Sequence, residues 1–254
     1  MRRYLLLPLA GISLNVFADS AFVASEFSEQ AFTSTQFTSE SDVEFSTEFG
    51  ASLTSGNTDT QTYKGKLQGS FVYPLGRVNY HGEFFKKISS EEVSADKWKV
   101  GLKNNLNFTE HGSSFASIEV EQDQFANFDS VATFAAGYSR LMLNDDILKW
   151  DADIGPGYKL KSNDQERLHE YVMHLGSQLS VQLSGEAEFI QTFIADLGVK
   201  GDASDVVRAE SALLTTVLDN LKMKLSYALK HNNKPGDGKE KLDTQTTVSM
   251  VFIF

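Results

Sequence analysis

From Val43 to Phe254 the apolar side chains recur at every second position, and the runs are broken at intervals by turn-forming residues. Val43, Phe45, Phe49, Ala51 and Leu53 alternate with Glu44, Ser46, Glu48 and Ser52, and Trp98, Val100, Leu102 and Leu106 alternate with Lys99, Lys103 and Asn105. In the final stretch Thr244, Thr246, Val248, Met250, Phe252 and Phe254 share one face, with Asp243, Gln245, Thr247 and Ser249 on the other. A period of two is the signature of strands with one apolar and one polar face. Counting the runs gives about 12 strands by the strand-spacing rule. A chain that ends inside a strand needs a partner for it, and closing the sheet supplies one. The pattern predicts an all-β fold, a closed antiparallel up-and-down transmembrane β-barrel.

The connections carry an orientation. Pro74–Gly76, Thr109–Ser113, Asn144–Asp146, Ser184–Gly185 and Asp219–Asn220 read as tight turns, built from the residue types that turns favour. Longer links are expected at Ser55–Thr60, Ile88–Ala95, Gln124–Asp129, Lys161–Arg167, Leu197–Ser204 and Asn232–Lys241. Barrels of the outer membrane put short turns in the periplasm and longer loops outside, so both termini are expected in the periplasm. Upstream, Met1–Ala18 has a charged start, an apolar middle and small residues at its end, as a signal peptide does. Residues 19–42 are rich in Ser, Thr and Glu, with Phe22, Phe27, Phe32 and Phe37 at a five-residue interval that fits neither helix nor strand. That composition predicts a flexible acidic periplasmic extension, and 43–254 the barrel.

Composition would have pointed elsewhere. With 41% hydrophobic residues and a formal charge of -11, the chain has the make-up of an acidic soluble protein. The acidity makes nucleic acid an unsuited partner. The absence of cysteine excludes disulfides and thiolate metal sites. Expected partners are outer-membrane lipids, lipopolysaccharide, and the barrel-assembly machinery, for which Phe252 and Phe254 are candidate insertion signals. Acidic loop residues Glu91, Glu92, Asp202 and Asp205 are solvated on the simpler reading and bridged to lipopolysaccharide by divalent ions on the sharper one.

On the polar faces, opposite charges fall at matching heights. A turn centred on His111 sets Lys103 opposite Glu119 and Lys99 opposite Asp123, and one centred on Asn57 sets Glu48 opposite Lys66. Such cross-strand pairs predict a lumen partly filled by ion pairs. Lys222, Lys224 and Lys230 form a basic stripe, flanked by Arg208, Glu210 and Asp243, that would favour anions. His81, His111, His169, His174 and His231 lie in no nucleophile motif and have no metal-ligand spacing, so no catalytic residue, cofactor or metal site is expected. His81 with Glu83 reads as a satisfied polar pair.

Leu53-Thr54-Ser55-Gly56-Asn57-Thr58, Gly155-Pro156-Gly157-Tyr158, Leu225-Ser226-Tyr227, Asn233-Lys234-Pro235-Gly236 and the closing Phe252-Ile253-Phe254 occur in an order that resembles the YdiY-like, salt-induced outer-membrane protein family. The resemblance covers Val43 to Phe254 and implies an outer-membrane barrel of undefined activity. Three readings follow: a narrow passive channel for ions or small solutes, a structural or salt- and stress-responsive barrel with a plugged lumen, and, more remotely, an outer-membrane enzyme.

Overall fold

The computed structural model describes residues 43–254 except 55–59, 91, 126–127, 164, 202 and 236–239. The signal peptide, the phenylalanine-bearing extension, the Asn57 turn centre, Gly236, Glu91 and Asp202 lie outside the described residues. Twelve strands run in order: β1 (Val43–Thr54), β2 (Thr60–Tyr73), β3 (Gly76–Ser89), β4 (Glu92–Asn107), β5 (Gly112–Asp123), β6 (Ser130–Asn144), β7 (Leu148–Ser162), β8 (Arg167–Gln182), β9 (Ala187–Gly198), β10 (Val206–Leu218), β11 (Leu221–Asn232) and β12 (Leu242–Ile253). Each pairs antiparallel with its sequence neighbours, and β12 returns to β1 to close the barrel. The chain end is drawn into that closure, where the Phe254 N–H donates to the Phe45 carbonyl at 2.9 Å.

The barrel is inside out relative to a soluble protein. Val100, Leu102 and Leu106 on β4 and Met223, Leu225 and Tyr227 on β11 are exposed, while Lys97, Lys99, Lys103 and Lys224 from the same strands are buried. Alternation along a strand explains both facts, because successive side chains take opposite faces. Outside, the rings also cover gaps in the sheet: a Cβ on Gly65 would lie 2.0 Å from Cε1 of Phe84, so this glycine is required by the aromatic ring packed over it. Inside, aliphatic side chains such as Val172, Ile190, Ile194 and Leu214 interrupt the polar lining, and two buried rings, Phe85 and Phe115, each receive a lysine: Lys97 Nζ is 5.5 Å from the Phe85 ring centre and Lys103 Nζ 4.7 Å from that of Phe115.

Two expectations about connections need correction. Ile88–Ala95 is not a long link: β3 continues to Ser89, β4 begins at Glu92, and Ser90 takes a φ of 50° in the tight turn between them. A bulge between Lys87 and Ile88 absorbs the extra residue, and the Ser94 hydroxyl donates to the Lys87 carbonyl at 3.4 Å. The run of Ser and Glu reads as loop, but outward Ile88 and Val93 face each other and extend the hairpin. Short and long connections therefore do not alternate strictly. The β4–β5 turn is also centred one residue earlier than expected, since the Phe108 and Thr109 N–H groups both donate to the Gly112 carbonyl.

Candidate functional site: the charged lumen

That displaced centre changes the ion pairs. The register sets Lys99 opposite Glu121, Lys97 opposite Asp123 and Lys103 opposite Ser117, so the expected facing pairs Lys99 with Asp123 and Lys103 with Glu119 are not formed. Moving a turn centre by one residue slides the partner by two, which keeps every side chain on its face and changes only whom it meets. Glu48 does face Lys66. Their shortest ion pairs nevertheless go elsewhere: Glu48 to Lys224 at 3.2 Å and to Lys64 at 3.6 Å, Lys66 to Glu83 at 3.1 Å.

On the β1–β5 side the register lines up Glu48, Lys66, Glu83, Lys99 and Glu121 in one row, a rung of alternating sign across five neighbouring strands. Lys99 sits between Glu119 at 3.7 Å and Glu121 at 3.6 Å. One layer along, Lys97 pairs with Asp123 at 3.8 Å. His81 Nε2 lies 3.8 Å from Glu119, and Glu83 pairs with Lys66 at 3.1 Å. At the closing seam Lys224, only 1% exposed, bridges Glu48 and Glu210 at 3.2 and 3.0 Å, and the Ser249 hydroxyl donates to Glu48 at 2.7 Å. Of the basic stripe, Lys222 reaches Glu188 at 3.7 Å. Lys230 faces Arg208 on one side and Asp243 on the other.

The β7–β10 side is organised differently. His174 on β8 places Nδ1 2.7 Å from Asp196 Oδ1 and Nε2 3.3 Å from Asp153 Oδ2. Carboxylates on both nitrogens suit an imidazolium, the form with two N–H donors. Asp196 also holds Lys159 at 2.9 Å and Arg208 at 3.6 Å. Asp153 receives Lys103 at 2.8 Å, a strut from β4 to β7 that spans the two strands between them. Gly176 makes the arrangement possible, because a Cβ there would lie 2.4 Å from Asp153 Oδ2. A cavity of about 50 Å³ borders this cluster, lined among others by Lys103, Ser117, Glu119, His174 and Arg208. It has room for a few waters.

Side-chain contacts also tie connections together at one end of the barrel. Ser204, in the β9–β10 connection, donates to Glu170 at 3.0 Å and accepts from Lys161 at 2.7 Å. Asp205 caps the Gly198 N–H at 2.8 Å and accepts from the Asn233 amide at 2.8 Å, tying this connection to the one between β11 and β12. Asp205 is therefore engaged in the fold and not a loosely solvated acid.

The His174 cluster was not anticipated from sequence, although one signal for it existed: centring the Ser184–Gly185 turn on Gly185 brings His174 opposite Asp196, as the register has it. The Asp153 and Lys103 contacts carried no such signal. Among the described residues no group of His, Asp and Glu is arranged to hold a metal ion.

A family model described as "Protein of unknown function, DUF481" matches residues 47–254. The uncharacterized protein YdiY of Escherichia coli (strain K12) is 23% identical over 198 residues, covering 77% of this chain and 77% of that protein. Among solved structures, the NanC porin superposes with a TM-score of 0.52 at 8% identity, over 84% of this chain and 99% of that one. An outer membrane channel from Pseudomonas putida F1 gives 0.51 at 10% identity, over 84% and 95%. At these identities the likeness is one of fold.

Proposed function

This chain belongs to the DUF481 family, and from that premise we propose that it is an integral outer-membrane barrel whose resting lumen is held closed by its own ion pairs. The exposed belt of leucine, valine and aromatic side chains supports the membrane part, since a closed barrel is the β-structure that leaves no backbone group unpaired in lipid. The burial of Lys224, Lys159 and Asp196, each at most 2% exposed inside the barrel, carries the closed lumen. Charges are withdrawn from water this far only when they are mutually paired. Purified protein in planar bilayers is expected to give no resolvable steps or very small ones. Large, stable steps from the unmutated protein would overturn the closed lumen.

A narrow channel is the second reading, favoured by the shared fold with a porin and a channel. A small ohmic current from every inserted barrel would select it. On either reading the β11–β12 connection faces outward from the cell and Pro74 faces the periplasm. Tags after Asn232 are expected to be labelled on intact cells, while tags at Pro74 are reached only after permeabilisation. The terminal Phe254, whose ring centre lies 5.8 Å from that of Phe45 at the seam, acts in assembly on this proposal. Its deletion is expected to reduce the heat-modifiable folded form without blocking export.

A further inference from the structure

The lipid-facing side of β7 and β8, where they approach the 163–166 connection, differs in chemistry from the apolar belt around it. Tyr158 and Tyr171 face each other in the register and their ring centres are 5.4 Å apart. The Tyr158 hydroxyl contacts His169 Nδ1, which extends the aromatic shelf by one ring. Lys200, from the β9–β10 connection, lays its ammonium 5.4 Å from the Tyr171 ring centre. Arg167 is exposed two residues before His169, on the same face of β8. Among the described residues neither Arg167 nor Lys200 has a carboxylate partner, although Glu166 adjoins Arg167. The surface beside and below the shelf is apolar: exposed Val199 lies level with Tyr171, whose carbonyl accepts its N–H at 2.9 Å, and exposed Met173 and Leu197 face each other one step lower.

We propose that this shelf binds the phosphorylated, acylated sugar headgroup of lipopolysaccharide from the outer leaflet. The inference rests on the outward orientation of the longer connections proposed above. Guanidinium offers a planar fork that matches phosphate, and a lysine adds a point charge beside it. Tyrosines at a membrane interface present a ring to the sugar and a hydroxyl to water. The Met173, Leu197 and Val199 strip receives the acyl chains. Two cations on an aromatic shelf above an apolar strip match an amphiphile whose head is anionic. An aqueous anion would have no use for the strip, and an uncharged lipid none for the cations.

Native mass spectrometry of the full folded chain in detergent tests this with three probes: bisphosphorylated lipid A, the same lipid dephosphorylated, and phosphatidylglycerol. The unmutated protein is expected to retain bisphosphorylated lipid A best. The double variant Arg167→Gln with Lys200→Gln is expected to lose affinity by about tenfold to a hundredfold, the usual worth of hydrogen bonds to a charged group. Arg140→Gln, at an exposed arginine near the opposite end of β6, is the control and leaves retention unchanged. Equal retention of all three probes, or an equal loss in Arg140→Gln, overturns the site. Equal preference for phosphatidylglycerol and lipid A overturns the sugar-lipid assignment. Failure of the barrel reading would register separately, as a chain that gives no heat-modifiable form in detergent.

Discussion

The two sides of the lumen solve the same problem by different means. Across β1–β5, charges alternate along the rung Glu48, Lys66, Glu83, Lys99 and Glu121, so each group has neutralising neighbours on adjacent strands. Across β7–β10 one carboxylate, Asp196, serves Lys159, Arg208 and His174 together. Its neighbour Asp153 is shared between His174 and a lysine from β4, outside that side of the barrel. A distributed ladder is redundant, whereas a shared anion concentrates the cost of its loss. The sides should therefore respond unequally to substitution.

The largest effect is expected for Asp196→Asn, which keeps the shape and removes the charge that three cations face. Breaking a buried pair typically costs about 3–5 kcal/mol because the remaining charge is stranded. Urea unfolding of the refolded protein in liposomes would measure it, and a loss below 1 kcal/mol would show that the cluster is not the hub described. Next comes Gly176→Val, which drives a side chain into Asp153 and away from His174. Overpacking of this kind is expected to cost about 1–3 kcal/mol, and a smaller loss in the Asp153→Asn background would identify the carboxylate as the group displaced.

On the other side Lys99→Met should cost less than Asp196→Asn. Its partners Glu119 and Glu121 keep 21% and 15% of their side-chain surface in contact with solvent, so water takes over part of their neutralisation. The smallest effect is expected for the pair Lys66→Met with Glu83→Leu. Replacing a whole buried ion pair by apolar groups of similar volume is commonly neutral, or stabilising by about 1–4 kcal/mol. If the double variant were as damaging as Asp196→Asn, the contrast between ladder and hub would fail.

The ladder was closer to the sequence than the hub was, for a geometric reason. Period-two alternation assigned Lys66, Lys99, Lys103, Glu48, Glu119 and Asp123 to one face, and a two-residue slide leaves that assignment intact. Alternation does not fix which residues stand opposite Lys99 and Lys103, because that depends on the β4–β5 turn, which closes on Gly112 and is centred one residue before His111. The residues around Ser90 have the polar composition of a loop, while the bulge at Ser94 that lets the strands continue has no composition of its own.

The sequence by itself determined the number of strands, their inward and outward faces, and the balance of acid and base along the polar face, since all three follow from local alternation and chain order. Only the tertiary structure decided that Lys103 reaches Asp153 from β4 to β7 and that Lys224 reaches Glu48 across β12. Contacts between strands that are not neighbours depend on the curvature of the closed sheet and on the length and direction of side chains meeting inside it. Neither quantity is written in the period of any single strand.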